Sequence, residues 1–308
     1  MAETTGIAYV HHTRNFWSGC TKIGPGCDGC YAEAFNRWTR GKNEETGQAK
    51  NWGPGAPRIP HLEGAAKDLR KWNAQALAAG ERRRVFVNTN SDTFDNEVPQ
   101  AWRTFMWPVL EECVALDILL VTKRIGNVAS MVPARWIVDG FPAHIRLLIT
   151  VVNQLEANRD VPKVLALPCK NGISNEPALG PVDWGRLDFG NRVYLDALTG
   201  LHFGEAGPAP INEALAALPV PLPKAYPRGV EWMIPGGESN QAGHKARACH
   251  LAWVDWTIAQ CRDARVPCFF KQAGSHPVLD GVRLQLRNDT GADLSELPPE
   301  FHVQEVPT

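Results

Sequence analysis

The chain carries almost no excess charge of either sign: 32 lysines and arginines face 33 aspartates and glutamates, a net of −1 over 308 residues. That balance excludes a broad cationic surface of the kind that holds duplex nucleic acid or an anionic membrane. Only local basic spots remain, ERRRV (81–85) and TKR (122–124). No apolar run nears the ~20 residues of a membrane-spanning helix, so no membrane partner is expected. The start, MAETTGIAYVHH, lacks the basic residues and apolar stretch of a secretory signal. A cytoplasmic, reducing location is therefore expected, where clustered cysteines serve as metal ligands or catalysts more often than as disulfides. Internal repeats and low-complexity tracts are also lacking.

What is present is an alternation of two periods. VFVNT (85–89), DILLVTK (117–123), RLLITVV (146–152), WMIPGG (232–237) and PCFFKQ (267–272) read as buried strands, and CKNGIS (169–174) as a weaker one. Helical patterning occupies 32–40, 63–80, 99–116 and 250–264. This spacing predicts an α/β fold with a parallel sheet or barrel, whose ligands meet the C-terminal ends of the strands. Residues 185–228, rich in proline and glycine, are expected to be an inserted lid within a single domain spanning 1–308. Residues 275–308 are expected to cover one end of it.

The densest chemistry lies in WSGCTKIGPGCDGCY (17–31), where three of eight cysteines fall within eleven residues. One reading is a structural zinc site in which His11 or His12 adds a fourth ligand to Cys20, Cys27 and Cys30. The other is a 4Fe–4S cluster held by three cysteines, with one iron open to a small ligand. Gly24, Gly26 and Gly29 would let the backbone curl around it and point amides at its sulfurs. Electron-transfer clusters are normally closed by four protein ligands, so an open iron implies a bound cofactor or substrate, such as S-adenosylmethionine. Trp17 and Trp52 are placed to shield the loop or stack on a base. Cys113, Cys261 and Cys268 read as packing residues, and Cys169 and Cys249 lie near strand or loop ends.

WSGCTKIGPGCDGCYAE, SDTFDNEVP, LLVTKR, SNEPALGPVDW, GGESN, ARACHLAWV and PCFFKQAG occur in order from about residue 9 to 274. Together they resemble a phage and prophage family with a three-cysteine motif, assigned to the radical-SAM-like barrels and similar in this respect to spore photoproduct lyase. The resemblance implies a partial (β/α)6 TIM-like barrel of radical-SAM type, a 4Fe–4S cluster on Cys20, Cys27 and Cys30, and S-adenosylmethionine as cofactor. The spacing of six residues between the first two cysteines departs from the three of the commonest form of that superfamily.

Against that background Ser91 and Asp92 are candidates for receiving the methionine amino group of the cofactor, although Asp92 equally suits capping the helix near Pro99. Lys123 or Arg124 would bind its carboxylate or a substrate phosphate, only one of the two facing the ligand. Glu176, held extended before Pro177, is expected to bind ribose hydroxyls or to pair with Lys123. Gly236 and Gly237 permit close approach of a ligand, Glu238 and Ser239 offer acceptors, and Arg247 and Lys271 complete an anion-binding rim beside Gln272. Glu176, Lys123 and Lys271 are the candidate catalytic residues. The expected activity is a radical enzyme that modifies or repairs a nucleic acid or nucleotide, fed by an electron donor protein. The competing reading is a zinc-stabilised nucleic-acid-binding protein without catalysis.

Overall fold

The computed structural model describes residues 5–190, 192–205 and 226–307. The chain divides into two compact units, one built mainly from residues up to Thr150 and one mainly from Val151 onward. The architecture is mixed α/β, with parallel strands in both units.

In the first unit the sequence runs β1 (His12–Arg14), β2 (Trp17–Ser18), α1 (Tyr31–Arg40), β3 (Ile59–Pro60), α2 (Leu62–Ala79) and β4 (Arg83–Val87). It continues through α3 (Gln100–Glu112), β5 (Leu116–Thr122), α4 (Ile125–Met131), α5 (Ala134–Val138) and β6 (Ile145–Thr150). Strands β1, β4, β5 and β6 pair in parallel. Their apolar runs are continuous, not alternating, and β5 and β6 are buried along most of their length, as in a sheet covered on both faces. Helix α2 turns Ala65, Leu69, Trp72 and Ala76 inward at helical spacing and ends on Gly80 in the left-handed conformation. Strand β4 stops at Val87, two residues short of expectation. Asn88 takes a left-handed φ of 63°; its amide still donates to Arg14 O at 2.8 Å, but its side-chain oxygen accepts from the Phe16 amide at 2.8 Å.

The second unit carries α6 (Gln154–Leu165), β7 (Lys170–Asn175), β8 (Leu187–Asp188), β9 (Val193–Asp196), β10 (Leu201–Gly204), β11 (Met233–Pro235) and α7 (Leu251–Ala264). Strands β7 and β11 are parallel, and β8, β9 and β10 form an antiparallel meander inside the expected lid. The rest of that lid, 206–225, lies outside the described residues, as does Asn191.

Residues 267–272 run beside β11 without forming a regular strand. Met233 N donates to Pro267 O, Phe269 N to Met233 O and Lys271 N to Pro235 O. Pro235 has no N–H to continue the exchange, which breaks the ladder. The C-terminal segment lies antiparallel along the other side of this stretch, with Phe270 N donating to Val303 O and Glu305 N to Cys268 O.

Candidate metal and cofactor site

The cysteine loop starts from a fixed point. Gly19 has φ 105°, and a Cβ there would lie 2.5 Å from Asn51 O, so only glycine fits between β2 and the chain at 51. Gly19 and Cys20 then form bridges to Ser91 and Trp52. Past Gly24 a single 3-10 turn, Pro25–Cys27, carries Cys27, and Cys30 stands at the N-cap of α1. The glycine requirement therefore falls before the first cysteine. Gly24 is extended at φ −174°, and neither Gly26 nor Gly29 adopts a left-handed φ.

Lys123 and Arg124 both turn to this loop, contrary to the expectation that only one would. The alternation of a strand does not reach them, because β5 ends at Thr122 and Arg124 is already the N-cap of α4. The Arg124 guanidinium lies 3.4 Å from Cys20 Sγ and donates to Thr21 O at 2.6 Å and to the Asp92 carboxylate at 3.1 Å. The Lys123 ammonium interacts electrostatically with Cys27, Cys30 and Cys20. Burial pulls its pKa down, but these thiols and Asp92 outweigh that and raise it. Burial pushes Cys20 up to about 12 despite Arg124, and also raises Cys30 against the favourable pull of Lys123 and the amides of Glu33 and Ala32.

What the three thiols share is thus a cation. Among the described residues no group of three or more His, Cys, Asp and Glu side chains is gathered at metal-ligating geometry. Neither histidine considered as a fourth ligand stands with them. His11 Nδ1 accepts the Arg84 amide at 2.8 Å, and His12 stacks on Trp72 at 4.3 Å, both beside the start of β4.

Asp92 is buried and fully occupied. It accepts from the Phe94 amide, the Thr122 hydroxyl, the Lys123 amide and Arg124, which uses the acceptor capacity of a carboxylate. It neither caps a helix near Pro99 nor offers a free oxygen to a ligand; it fixes the turn that carries Lys123 and Arg124. The Ser91 hydroxyl donates to Trp17 O. Two buried arginines that sequence reasoning missed hold the same loop: Arg58 pairs with Asp95 at 2.8 Å, and Arg103 donates to the carbonyls of Asp95 and Val98. The second acid of SDTFDNEVP was the only sequence signal for them.

Trp17 is completely buried and faces Trp102, so it is not free to stack on a base. Trp52 packs in an apolar cluster with Cys20, Ala32, Ala49 and Cys30, which is the shielding role. Its indole N–H is buried with no hydrogen-bond partner.

In the second unit Glu176 pairs with Lys271, not Lys123. Glu238 accepts from the Arg247 amide at 3.0 Å and its guanidinium at 2.7 Å, and Gln272 donates to Ser239 and Gly237 O. Of the two adjacent glycines, only Gly237 is demanded by the packing of the chain itself. A Cβ on Gly237 would lie 2.1 Å from Ala273 O, whereas one on Gly236 would make ordinary 3.5 Å contacts with Glu176. Cys113, Cys169, Cys249, Cys261 and Cys268 are all buried.

No curated protein matches the chain. A solved spore photoproduct lyase variant with bound AdoMet and a dinucleoside spore photoproduct aligns at 14% identity and TM-score 0.32. It covers 53% of this chain, which spans 44% of that one, less than half its length. Residues 4–296 match the family described as "Protein of unknown function (DUF5131)". The match takes in the cysteine loop, the acidic turn and the glycine–glutamate loop alike, and the chain belongs to the DUF5131 family.

Proposed function

We propose that the chain is a radical S-adenosylmethionine enzyme that holds a 4Fe–4S cluster through Cys20, Cys27 and Cys30. The observation that carries this reading is the gathering of the cysteine loop at the C-terminal end of β5, where Cys20 Sγ lies 3.4 Å from Arg124 and packs in one cluster with Cys30, beside Lys123. The donors suit a cluster in type: three soft sulfurs, two cations to offset anionic charge, and the unpartnered Trp52 indole N–H to donate to sulfur. Bound there, the cluster and S-adenosylmethionine would supply a 5′-deoxyadenosyl radical for hydrogen abstraction. Four parallel strands in the first unit and two in the second are the number a partial (β/α)6 barrel of this type would use.

The chain's own residues then divide the work. Asp92 positions Arg124 and the backbone of Lys123, and the two cations stabilise the thiolates that ligation needs. Ser91, Gly236, Gly237, Glu238, Ser239 and Arg247 are assigned to cofactor binding. Glu176 and Lys271 are assigned to the substrate, a nucleotide or nucleic acid, with Lys123 moved to the cluster. An electron donor protein is the remaining partner.

Anaerobic reconstitution tests the reading. Brown protein absorbing near ~400 nm, with iron and sulfide lost in each cysteine-to-alanine variant, is the expected result. Dithionite and S-adenosylmethionine should then release 5′-deoxyadenosine above a Cys27→Ala control. Colourless protein with stoichiometric zinc would replace the proposal by a structural zinc site.

A further inference from the structure

Three of the four exposed aromatic side chains among the described residues lie on one short helix. Tyr31 is 43% exposed, Phe35 44% and Trp38 82% on α1, and the fourth is Trp256. Their spacing of four and three residues places them on one face, while Ala32, Glu33 and Asn36 turn to the interior. Ile23, half exposed in the cysteine loop, adds a further apolar side chain just before this helix. An isolated exposed ring needs no explanation, but a contiguous stripe marks a binding surface.

Along the helix and the two residues after it the exposed charge is cationic, and exposed carboxylates, Glu44 and Glu45, resume only beyond Lys42. Between residues 31 and 42 the cations are Arg37, Arg40 and Lys42, and the only carboxylate, Glu33, is buried against Lys22 at 2.8 Å. Arg37 flanks the stripe and donates to Ala242 O, and Arg40 and Lys42 are exposed at the C-terminal end of the helix. Aromatic faces alternating with cations are the chemistry that holds nucleobases and phosphates of a single strand.

Spacing separates single strand from duplex. Along a helix rising 1.5 Å per residue the backbone positions that carry the rings are about 6 and 4.5 Å apart along the axis, more than the ~3.4 Å rise of stacked bases. Phe35 and Trp38 have ring centroids 6.2 Å apart and planes tilted by 50°, so they receive unstacked bases, not a continuous stack. A duplex presents no such bases.

We infer that the outer face of α1 is a docking platform for single-stranded nucleic acid, with Phe35 and Trp38 as base-stacking faces and Arg40 and Lys42 as phosphate contacts. This deepens the substrate side of the proposed function, but its test needs no cluster. Anisotropy of fluorescein-labelled single-stranded 12-mers, DNA in one arm and RNA in the other, is measured on purified protein with and without reconstitution. The proposal expects binding in at least one arm, weaker binding of the matching duplex, and about tenfold loss in Trp38→Ala and Phe35→Ala. Arg40→Ala with Lys42→Ala should flatten the salt dependence. Because these side chains are exposed, unchanged melting temperatures identify the loss as one of contact. Failure to bind single strands, binding indifferent to both ring substitutions, or a concentration-dependent dimer abolished by Trp38→Ala would overturn it. Iron content in the same preparations judges the cluster separately.

Discussion

The guanidinium of Arg124 stands between Cys20 Sγ, 3.4 Å away, and the buried Asp92 carboxylate, 3.1 Å away. One cation thus couples the first cysteine to the acidic turn. Arg124→Met leaves Asp92 with Lys123 as its remaining cation, and Asp92→Asn leaves Arg124 with Asp95 at 3.8 Å. Each should cost about 1–3 kcal/mol in urea unfolding, because a buried charge-assisted hydrogen bond is lost while part of the charge compensation remains. The double variant should cost clearly less than the sum. Additive losses would show that the two groups do not act as a pair.

Alkaline pH should weaken the metal-free protein. Cys20, Cys113 and Cys249 are each pushed from an ordinary 9.0 up to about 12 by burial. Below pH 9 both folded and unfolded chains hold these protons and the full contribution is present. Between 9 and about 12 the unfolded chain releases them first, so stability falls as pH rises. The raised Lys123 acts in the same direction. Melting temperature should decline from pH 9 upward, and Cys113→Ala should reduce the slope by about one proton, whatever it does to the absolute value.

Trp52 provides a test of the orphaned indole N–H. Trp52→Phe keeps most of the ring in the cluster with Cys20 and Ala32 and removes an unpaired donor, so unfolding free energy should change by less than about 1 kcal/mol. Trp52→Ala should cost about 3–5 kcal/mol through the cavity. If the proposed cluster is held there and one of its sulfurs takes this donor, Trp52→Phe should lower the midpoint potential in a redox titration.

The two adjacent glycines should respond unequally. Gly237→Ala forces a Cβ to 2.1 Å from Ala273 O and should cost about 2–3 kcal/mol. Gly236→Ala, with nearest contacts at 3.5 Å, should stay within about 0.5 kcal/mol. Equal losses would mean that Gly236 serves a constraint beyond packing.

Much of the scaffold is readable in the sequence because burial imposes its period locally. DILLVTK and RLLITVV announce β5 and β6, and the run from Glu63 to Gly80 announces α2 with its stop. Long-range features are not readable in this way. Nothing near Gly19 says that Asn51 O will press against it, and nothing near Asp92 says that Thr122 and Arg124 will occupy its oxygens. The segment 267–272 looks like a strand because its composition is that of one. What breaks its ladder is a missing N–H on Pro235, over thirty residues away. Of the site, the residue types were legible and their partners were not: Lys123 belongs with the thiols, and Glu176 with Lys271.

The bridges that flank the first cysteine imply a division of labour in time. The Gly19 amide donates to Asn90 O at 3.1 Å and the Gly53 amide to Cys20 O at 2.9 Å, so Cys20 sits on backbone clamped from both sides. Cys27 rides on a single 3-10 turn, and Cys30 is the N-cap of α1. In deuterium exchange the amides of 19 and 53 should therefore open slowly, and those of 26–30 quickly. An incoming ion would meet one stationary sulfur and two that close on it, and protection gained on loading should be confined to the second group.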